Sequence, residues 1–329
     1  MPIFRYFVDS TSWLFLEKIV RSILILSIGF YIARYLGPEK LGVLGYAQSI
    51  AGLLAVVPIL GLENGTINAL INNHSLKNKI LGTVFVLQFL AGIIVFSVIF
   101  AVLYFFNNPG IEDTYIILLS LGMVFQSFGV IDYFFQSRVQ SKVQSKVYFL
   151  QLVVSSITKV LLIYFEKDLL WFVISYLLDV IYLSACYVYF YKSTGNNIFL
   201  FQCDAKIARS LLKKSWPLII SALATTVYIK TDQIMIKNII DDEGVGIYIA
   251  ATRLVEVLYI FPIIVSNVAF PLILKHARED FLVNLSGIYA LLIFVSIFSS
   301  IFLVLFSIDL VDIFYGDEFM GSSAVLSIY

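Results

Sequence analysis

Long apolar stretches separated by short polar segments run through most of the 329-residue chain. A helix needs about 20 mainly apolar residues to cross a bilayer. The pattern predicts nine complete spans and the start of a tenth at residues 322–329, so we expect a bundle that lacks its last spans. The nine predicted spans are 13–35, 41–70, 80–106, 114–137, 147–165, 168–191, 215–238, 245–274 and 281–306.

The charges of the connecting segments alternate in sign along the chain. Residues 72–79, 138–146 and 191–214 are rich in Lys and Arg, whereas 107–114 and 309–319 are acidic. Because loops rich in Lys and Arg stay on the cytoplasmic side, the pattern predicts a cytoplasmic N-terminus. No small-residue cleavage site follows the first apolar stretch, so we interpret it as an uncleaved span.

The composition indicates an all-α polytopic membrane protein. Hydrophobic residues make up 60% of the chain and charged residues only 13%, about half the charged fraction of a soluble domain. Lys plus Arg equals Asp plus Glu, at 22 each, so net charge gives no argument for a nucleic-acid partner. The two cysteines do not suggest a disulfide framework.

A weak internal repeat divides the chain. The matched positions are Gly42, Ala47 and Pro58 in the first half and Gly246, Ala251 and Pro262 in the second. The repeat predicts an N-terminal lobe at 1–191, a cytoplasmic linker at 192–214 and an incomplete C-terminal lobe at 215–329. Parallel repeats of this kind form two lobes around a central site. We expect the two prolines to bend their spans, with improved packing as the alternative explanation.

Eleven ionisable residues fall within the predicted spans. They are Glu17, Lys18, Arg21, Glu63, Asp132, Lys159, Asp179, Lys230, Asp232, Arg253 and Glu256. A charge at the centre of a membrane helix costs about 2.5–3.5 kcal/mol on insertion scales, so these side chains should face a bundle interior or a cavity.

Some of these charges have a structural interpretation. The spacing allows Glu17 to pair with Arg21, and Arg253 with Glu256, along one helix face. Asp132 lies near a span end, where it is interpreted as an interface residue. Lys159 and Asp179 lie near the middle of their spans, and two explanations stay open for them: a buried pair that joins spans five and six, or a cavity role for at least one.

Span seven has two polar stripes at helical spacing. One consists of Ser221, Thr225, Tyr228 and Asp232, and the other of Thr226, Lys230, Gln233 and Lys237. Asp232 is too short to reach the membrane surface, whereas Lys230 can extend toward it. We therefore expect Asp232, Tyr228 and Thr225 to form part of a cavity wall.

Three segments carry a family resemblance. "YIARYLGPEKLGVLGYAQSIAGLLAVVPILGLENG" (31–65) resembles the N-terminal signature of Wzx-type polysaccharide flippases, which share a superfamily with MATE multidrug exporters and lipid II flippases. "SWPLIISALATTVYIKTDQIMIKNIIDDEGVGIYIAATRLVE" (215–256) resembles their seventh and eighth spans, and "FYGDEF" (314–319) the loop before their tenth.

The resemblance implies a MATE-like bundle of two six-helix lobes with alternating access, in the bacterial cytoplasmic (inner) membrane. It implies an undecaprenyl-pyrophosphate-linked oligosaccharide as substrate, for O-antigen (lipopolysaccharide), capsule or exopolysaccharide biosynthesis. Polysaccharide polymerase machinery and membrane lipids are the implied partners. Neither a metal nor an organic cofactor is expected.

The resemblance also gives roles to the charged residues. Arg21, Lys159, Lys230 and Arg253 are the cations available for a pyrophosphate headgroup, for which arginine is the better suited type. The anions within the spans equal or exceed the cations, unlike the cationic lumen usual in the family. Glu63, Asp179 and Asp232 are therefore candidates to bind a coupling proton or sodium ion.

Two other functions remain as alternatives. A MATE-like cation-coupled exporter of drugs or small molecules would explain the anions, because its substrates are usually cationic. A membrane enzyme could use the acidic residues 241–243 to bind a metal. Such enzymes usually have long outer loops or an in-membrane histidine, whereas His74 and His276 lie in predicted cytoplasmic loops. We therefore expect a transporter.

Overall fold

The computed structural model describes residues 2–106, 110–258 and 278–328, and for 2–20, 106, 257, 278–285, 288 and 291 it describes the backbone alone. These residues form helices joined by short turns, with no strand among them. The helices are α1 (Pro2–Ile59), α2 (Glu63–Asn72), α3 (Lys77–Phe106), α4 (Ile111–Phe125), α5 (Val130–Ser137), α6 (Ser141–Tyr164), α7 (Leu169–Ser193), α8 (Ala205–Ile239), α9 (Asp242–Leu258), α10 (Arg278–Phe314) and α11 (Gly321–Ile328).

Six stretches of the described residues are long and apolar enough to cross a membrane. They are Arg21–Asn72, His74–Phe105, Ile111–Ser137, Ser141–Tyr164, Leu169–Ser193 and Leu292–Phe314. These stretches contain most of predicted spans one to six and part of span nine. Helix α8 includes all of span seven but is more polar, and span eight continues past Leu258 to residues outside the described ranges. Spans seven and eight therefore stay predictions.

The segment predicted to connect spans one and two is a kink at a single residue. Gly37 has φ 73° and ψ 172° inside α1, which is otherwise helical from residue 2 to 59. Glycine adopts a positive φ without the steric penalty of a side chain. Pro38 then begins the next helical turn, because its φ suits that position and its missing N–H has no helical partner there. Predicted spans one and two are therefore two helical segments that meet at the Gly37 kink.

Helix α1 ends one residue after Pro58, so predicted span two (41–70) is not one continuous helix, although the apolar stretch runs to Asn72. Leu60 and Gly61 both have positive φ, at 54° and 57°, which stops the helix before α2 begins. The Gln88 side-chain amide donates to the Ile59 carbonyl oxygen at 3.1 Å. Pro58 thus lies beside a helix end whose exposed carbonyl has a partner, and it does not bend a continuous span.

Three further boundaries differ from the predicted ones. A 3-10 turn at Gln126–Gly129 interrupts span four between α4 and α5. Helix α7 ends at Ser193 and α8 begins at Ala205, so about half of the predicted linker 192–214 is helical. Helix α10 continues to Phe314, so the predicted acidic loop 309–319 begins inside a helix. Polarity marks where a chain meets water, but helical hydrogen bonds continue past that point.

Two compact units are distinguished by their internal contacts. Unit 1 contains Met1–Ile28 and Val43–Ile239, and unit 2 contains Gly29–Gly42 and Ile240–Tyr329. The predicted lobes at 1–191 and 215–329 have other boundaries than these units, and they stay a prediction. Each unit has a buried apolar core of its own. The core of unit 1 includes Leu62, Leu70, Ile80, Leu81, Phe135, Tyr191 and Leu211. The core of unit 2 includes Ala33, Leu41, Ala250, Ala251, Val311, Tyr315 and Phe319.

Candidate functional site

A cavity of about 260 Å³ lies inside unit 1, where α2, α5, α6 and α7 meet. Two carboxylates, Glu63 and Asp132, line it together with the phenol groups of Tyr133, Tyr148 and Tyr187. The cavity lies beside the interruption of span four, because the 3-10 turn contributes Gln126 and Gly129 to its wall. The cavity therefore adjoins both the break in span four and two acidic side chains.

Asp132 is the centre of a hydrogen-bond network and is only 7% exposed. The side-chain amide of Gln144 donates to its Oδ1 at 2.7 Å, and that of Gln136 donates to its Oδ2 at 3.1 Å. The Tyr148 hydroxyl donates to the same Oδ2 at 3.3 Å. A buried carboxylate is costly unless such donors replace its lost water, and here three side chains do so.

The network joins two of the predicted site residues. The Gln136 amide also lies 3.4 Å from Glu63 Oε1, so it connects the two carboxylates. The Arg21 guanidinium lies 4.9 Å from the centre of the Tyr148 ring, within the range of a cation–π contact. Arg21 and Glu63 therefore belong to one polar assembly.

Asp132, the residue at the centre of this assembly, was not among the predicted site residues. Sequence reasoning placed it at a membrane interface because it lies near the end of its span. The signal that could have identified it is a pair of four-residue spacings. Asp132 and Gln136 share one helix face, and Gln144 and Tyr148 share a face of α6, although Gln144 precedes the predicted start of span five at residue 147.

The polar groups of this assembly are two carboxylates and the amide between them, which are groups that can take up a proton or contact a small cation. Glu63 is exposed while Asp132 is buried, and the Gln136 amide between them can donate to either carboxylate. The described residues contain no group of three or more His, Cys, Asp or Glu side chains that could hold a metal ion. Protonation of one carboxylate would rearrange the donors around both.

Lys159 and Asp179 form a separate pair between α6 and α7. The Lys159 ammonium donates to Asp179 Oδ2 at 2.6 Å and to Ser155 Oγ at 2.8 Å. It also lies 4.2 Å from the centre of the Tyr176 ring. The structure thus contains the buried pair that was one of the two explanations for these residues. The pair binds spans five and six together, and the transport roles of both residues stay predictions.

The two stripes of α8 differ in exposure. Ser221, Thr225, Tyr228 and Asp232 are all exposed, with Tyr228 at 82%, whereas Thr226, Lys230, Gln233 and Lys237 are all partly buried. The partly buried stripe packs within unit 1. Lys237 donates to Glu112 Oε1 at 2.8 Å, and Gln233 contacts the Ser49 hydroxyl. The stripe predicted to line a cavity is therefore the exposed face of α8 among the described residues.

The last predicted cation, Arg253, lies in unit 2. Its guanidinium is half-buried and lies 3.5 Å from the Gly29 carbonyl oxygen, at the limit for a hydrogen bond. The predicted site residues thus fall into separate places. Arg21 and Glu63 share one assembly, Lys159 and Asp179 another, and Thr225, Tyr228, Lys230 and Asp232 lie along α8.

The fold resembles solved transporters of the MATE family. A structure described as the inward-facing conformation of a multidrug resistance MATE family transporter of the MOP superfamily aligns with a TM-score of 0.69 and 16% identity. The alignment covers 94% of this chain and 75% of that one. A MATE in complex with MaL6 aligns with a TM-score of 0.62 and 15% identity over 95% of this chain and 75% of that one. At these identities the likeness concerns the fold alone, which is an all-α polytopic membrane fold of the MATE type.

Sequence comparison defines the family. No curated protein matches the chain. The family model described as "Polysaccharide biosynthesis protein" matches residues 7–276, which is most of the chain. This match agrees with the MATE-like fold and with the charged residues inside the apolar helices, since all three are features of transporters. The chain is a multi-pass membrane protein with a transporter fold, and it belongs to the polysaccharide biosynthesis protein family.

Proposed function

We propose that this protein is a flippase for an oligosaccharide linked to undecaprenyl pyrophosphate. It carries the repeat unit across the bacterial cytoplasmic membrane by alternating access, for O-antigen, capsule or exopolysaccharide synthesis, and it catalyses no covalent change. The observation that carries the proposal is the family match over residues 7–276. The N-terminus lies in the cytoplasm in this proposal, and polymerase machinery receives the product.

Within this function the charged residues have two roles. Arg21, Lys230 and Arg253 attract the pyrophosphate, with Lys159 held by Asp179 until the helices separate. The open stripe with Thr225, Tyr228 and Asp232 forms part of the wall that the sugar passes. Polar side chains on that stripe exchange water contacts for sugar hydroxyls at little cost, which favours a saccharide over an apolar substrate.

We place the coupling site at the cavity of Asp132 and Glu63. A proton or sodium ion bound there would alter the hydrogen bonds that join α2, α5 and α6. A test in proteoliposomes compares the normal chain with Glu63→Gln, Asp132→Asn, Asp179→Asn and Asp232→Asn variants, with Asp309→Asn as an exposed control. Transport that depends on a proton or sodium gradient should fall in Asp132→Asn and persist in the control. Unchanged gradient dependence when all four acids are neutralised would exclude coupling through these acids.

The substrate is tested by deletion of the gene and fractionation of lipid-linked oligosaccharide. Completed repeat units should accumulate in the cytoplasmic leaflet, and expression of the normal chain should remove them. Normal surface polysaccharide in the deletion strain would contradict the proposal.

The second candidate is a cation-coupled exporter of drugs or other small molecules. The multidrug resistance transporter among its structural neighbours and the acids within its spans favour this function. Dye efflux that fails in the deletion strain, while lipid-linked oligosaccharide stays normal, would identify the exporter.

A further inference from the structure

A second cavity, of about 450 Å³, lies in unit 1 away from Asp132. It is a groove between α2 and the first three turns of α8, and Asn73 and Leu76 also line it. This volume is within the range of small-ligand sites, which is about 300–1,000 Å³. We name it the α2–α8 groove.

The floor of the α2–α8 groove is apolar and fixed by the core of unit 1. Ile80 and Leu211 line the floor and are 2% and 5% exposed. The two helices pack in van der Waals contact here, because a Cβ on Gly65 would lie 3.5 Å from Leu211 Cδ2. The groove therefore has an apolar floor that belongs to the packed core of unit 1.

The walls of the groove are polar and basic. Lys206, Ser210 and Lys214 lie four residues apart and so share one face of α8. Asn68 and Asn72 have the same spacing on α2, across the groove. All five side chains are exposed, so their polar groups are available to a ligand.

The charge of the groove is positive. None of the described residues that line it is acidic. Asp204, which precedes α8, accepts hydrogen bonds from the backbone N–H groups of Lys206 and Ile207 at 2.9 and 3.4 Å. Its carboxylate is therefore engaged at the start of the helix. Two ammonium groups and two or three amides facing one space form a site for a phosphate, whose oxygens accept from both donor types.

We propose that the α2–α8 groove binds the phosphate-bearing headgroup of a membrane amphiphile, with the apolar floor beneath the start of its hydrocarbon. The segments that form the groove belong to the basic end of the bundle, and basic residues near a bilayer attract anionic headgroups. None of the residues that line the groove has a role in the proposed transport, so the site does not depend on what the protein transports. The phosphate can belong to a phospholipid or to a polyprenyl pyrophosphate, and the two sources are separated by experiment.

The test measures lipid binding to the full chain by native mass spectrometry and in nanodiscs. The groove variant is Lys206→Gln with Lys214→Gln. The matched control is Arg209→Gln with Lys213→Gln, which removes the same charge from exposed positions of the same helix that do not line the groove. The two lipid probes are phosphatidic acid and polyprenyl pyrophosphate, each in phosphatidylcholine nanodiscs.

Affinity for at least one probe should fall about 30-fold in the groove variant and no more than about twofold in the control. A loss for phosphatidic acid identifies a phospholipid site, and a loss for polyprenyl pyrophosphate alone identifies a site for a carrier lipid. Ser210→Phe fills the groove without a change of charge and should reduce binding similarly. Equal losses in groove and control variants would overturn the proposal, as would inorganic pyrophosphate binding as tightly as either lipid.

Discussion

Gly42 in α1 and Gly246 in α9, matched positions of the internal repeat, lie against each other in unit 2. A Cβ on Gly42 would collide with the Asp242 carbonyl oxygen and lie 3.0 Å from the Gly246 nitrogen. A Cβ on Gly246 would collide with the Pro38 carbonyl oxygen. Each glycine thus faces a carbonyl four residues before the other, so the contact is reciprocal. The internal repeat itself stays a prediction, and Pro262, its last matched position, lies outside the described residues.

Gly42→Ala should destabilise the protein by about 1–3 kcal/mol, because the added methyl group overlaps backbone atoms that cannot move independently. The measurement is thermal unfolding in detergent or nanodiscs. Gly52→Ala is the matched control. Gly52 lies on the same helix, and a Cβ there would have no neighbouring atom within 4 Å. It should be neutral or stabilise by up to about 1 kcal/mol, as alanine favours helix more than glycine does. Equal effects of the two substitutions would contradict the close contact.

Lys159→Met should destabilise the protein by about 3–5 kcal/mol, because it leaves Asp179 half-buried without its cation. The double variant with Asp179→Leu should recover most of this loss, since two apolar side chains replace two buried charges. Unfolding temperatures of the two single variants and the double variant provide the comparison. If the double variant were as unstable as the sum of the singles, the 2.6 Å pair would not be the main interaction of these residues.

Gln144→Leu should destabilise the protein by about 1.5–3 kcal/mol. The Gln144 amide makes the shortest of the three hydrogen bonds to Asp132, and the carboxylate that accepts it is buried. Gln151→Leu is the control on the same helix; the Gln151 side chain makes no hydrogen bond to the described residues. Chemical or thermal unfolding measures both variants. A control as unstable as Gln144→Leu would show that the loss comes from the helix surface and not from the network.

Arg34→Ala should destabilise unit 2 by about 1–2 kcal/mol. The Arg34 guanidinium donates to the carbonyl oxygens of Asp312 and Ile313 at 3.0 and 2.9 Å, near the end of α10. Arg34 is exposed, so water screens part of this effect, which keeps the expected loss below that of a buried contact. Hydrogen exchange of the backbone N–H groups at the end of α10 should accelerate. Lys40→Ala, at another exposed cation of the same helix, should leave that exchange rate unchanged.

The sequence determined the environment and the family of this protein. Apolar stretches of spanning length predicted the helices because a bilayer accepts only backbone whose hydrogen bonds are internal. The stripe of Thr225, Tyr228 and Asp232 followed from helical spacing, and it is the open face of α8. The resemblance of 31–65 and 215–256 to polysaccharide flippases agrees with the family match.

The tertiary structure decided which polar residues meet. Sequence placed Asp132 at an interface, because hydropathy reports depth along one helix and nothing of neighbouring helices. Only the packing of α5 against α6 brings Gln144 and Tyr148 to it. The kink and the end of α1 depend on backbone torsions at Gly37 and Leu60, and the Arg34 contact at the end of α10 joins residues far apart in the sequence. The polarity of a segment carries no information about either. Depth and period are properties of one segment, whereas a site is made by the contacts between segments.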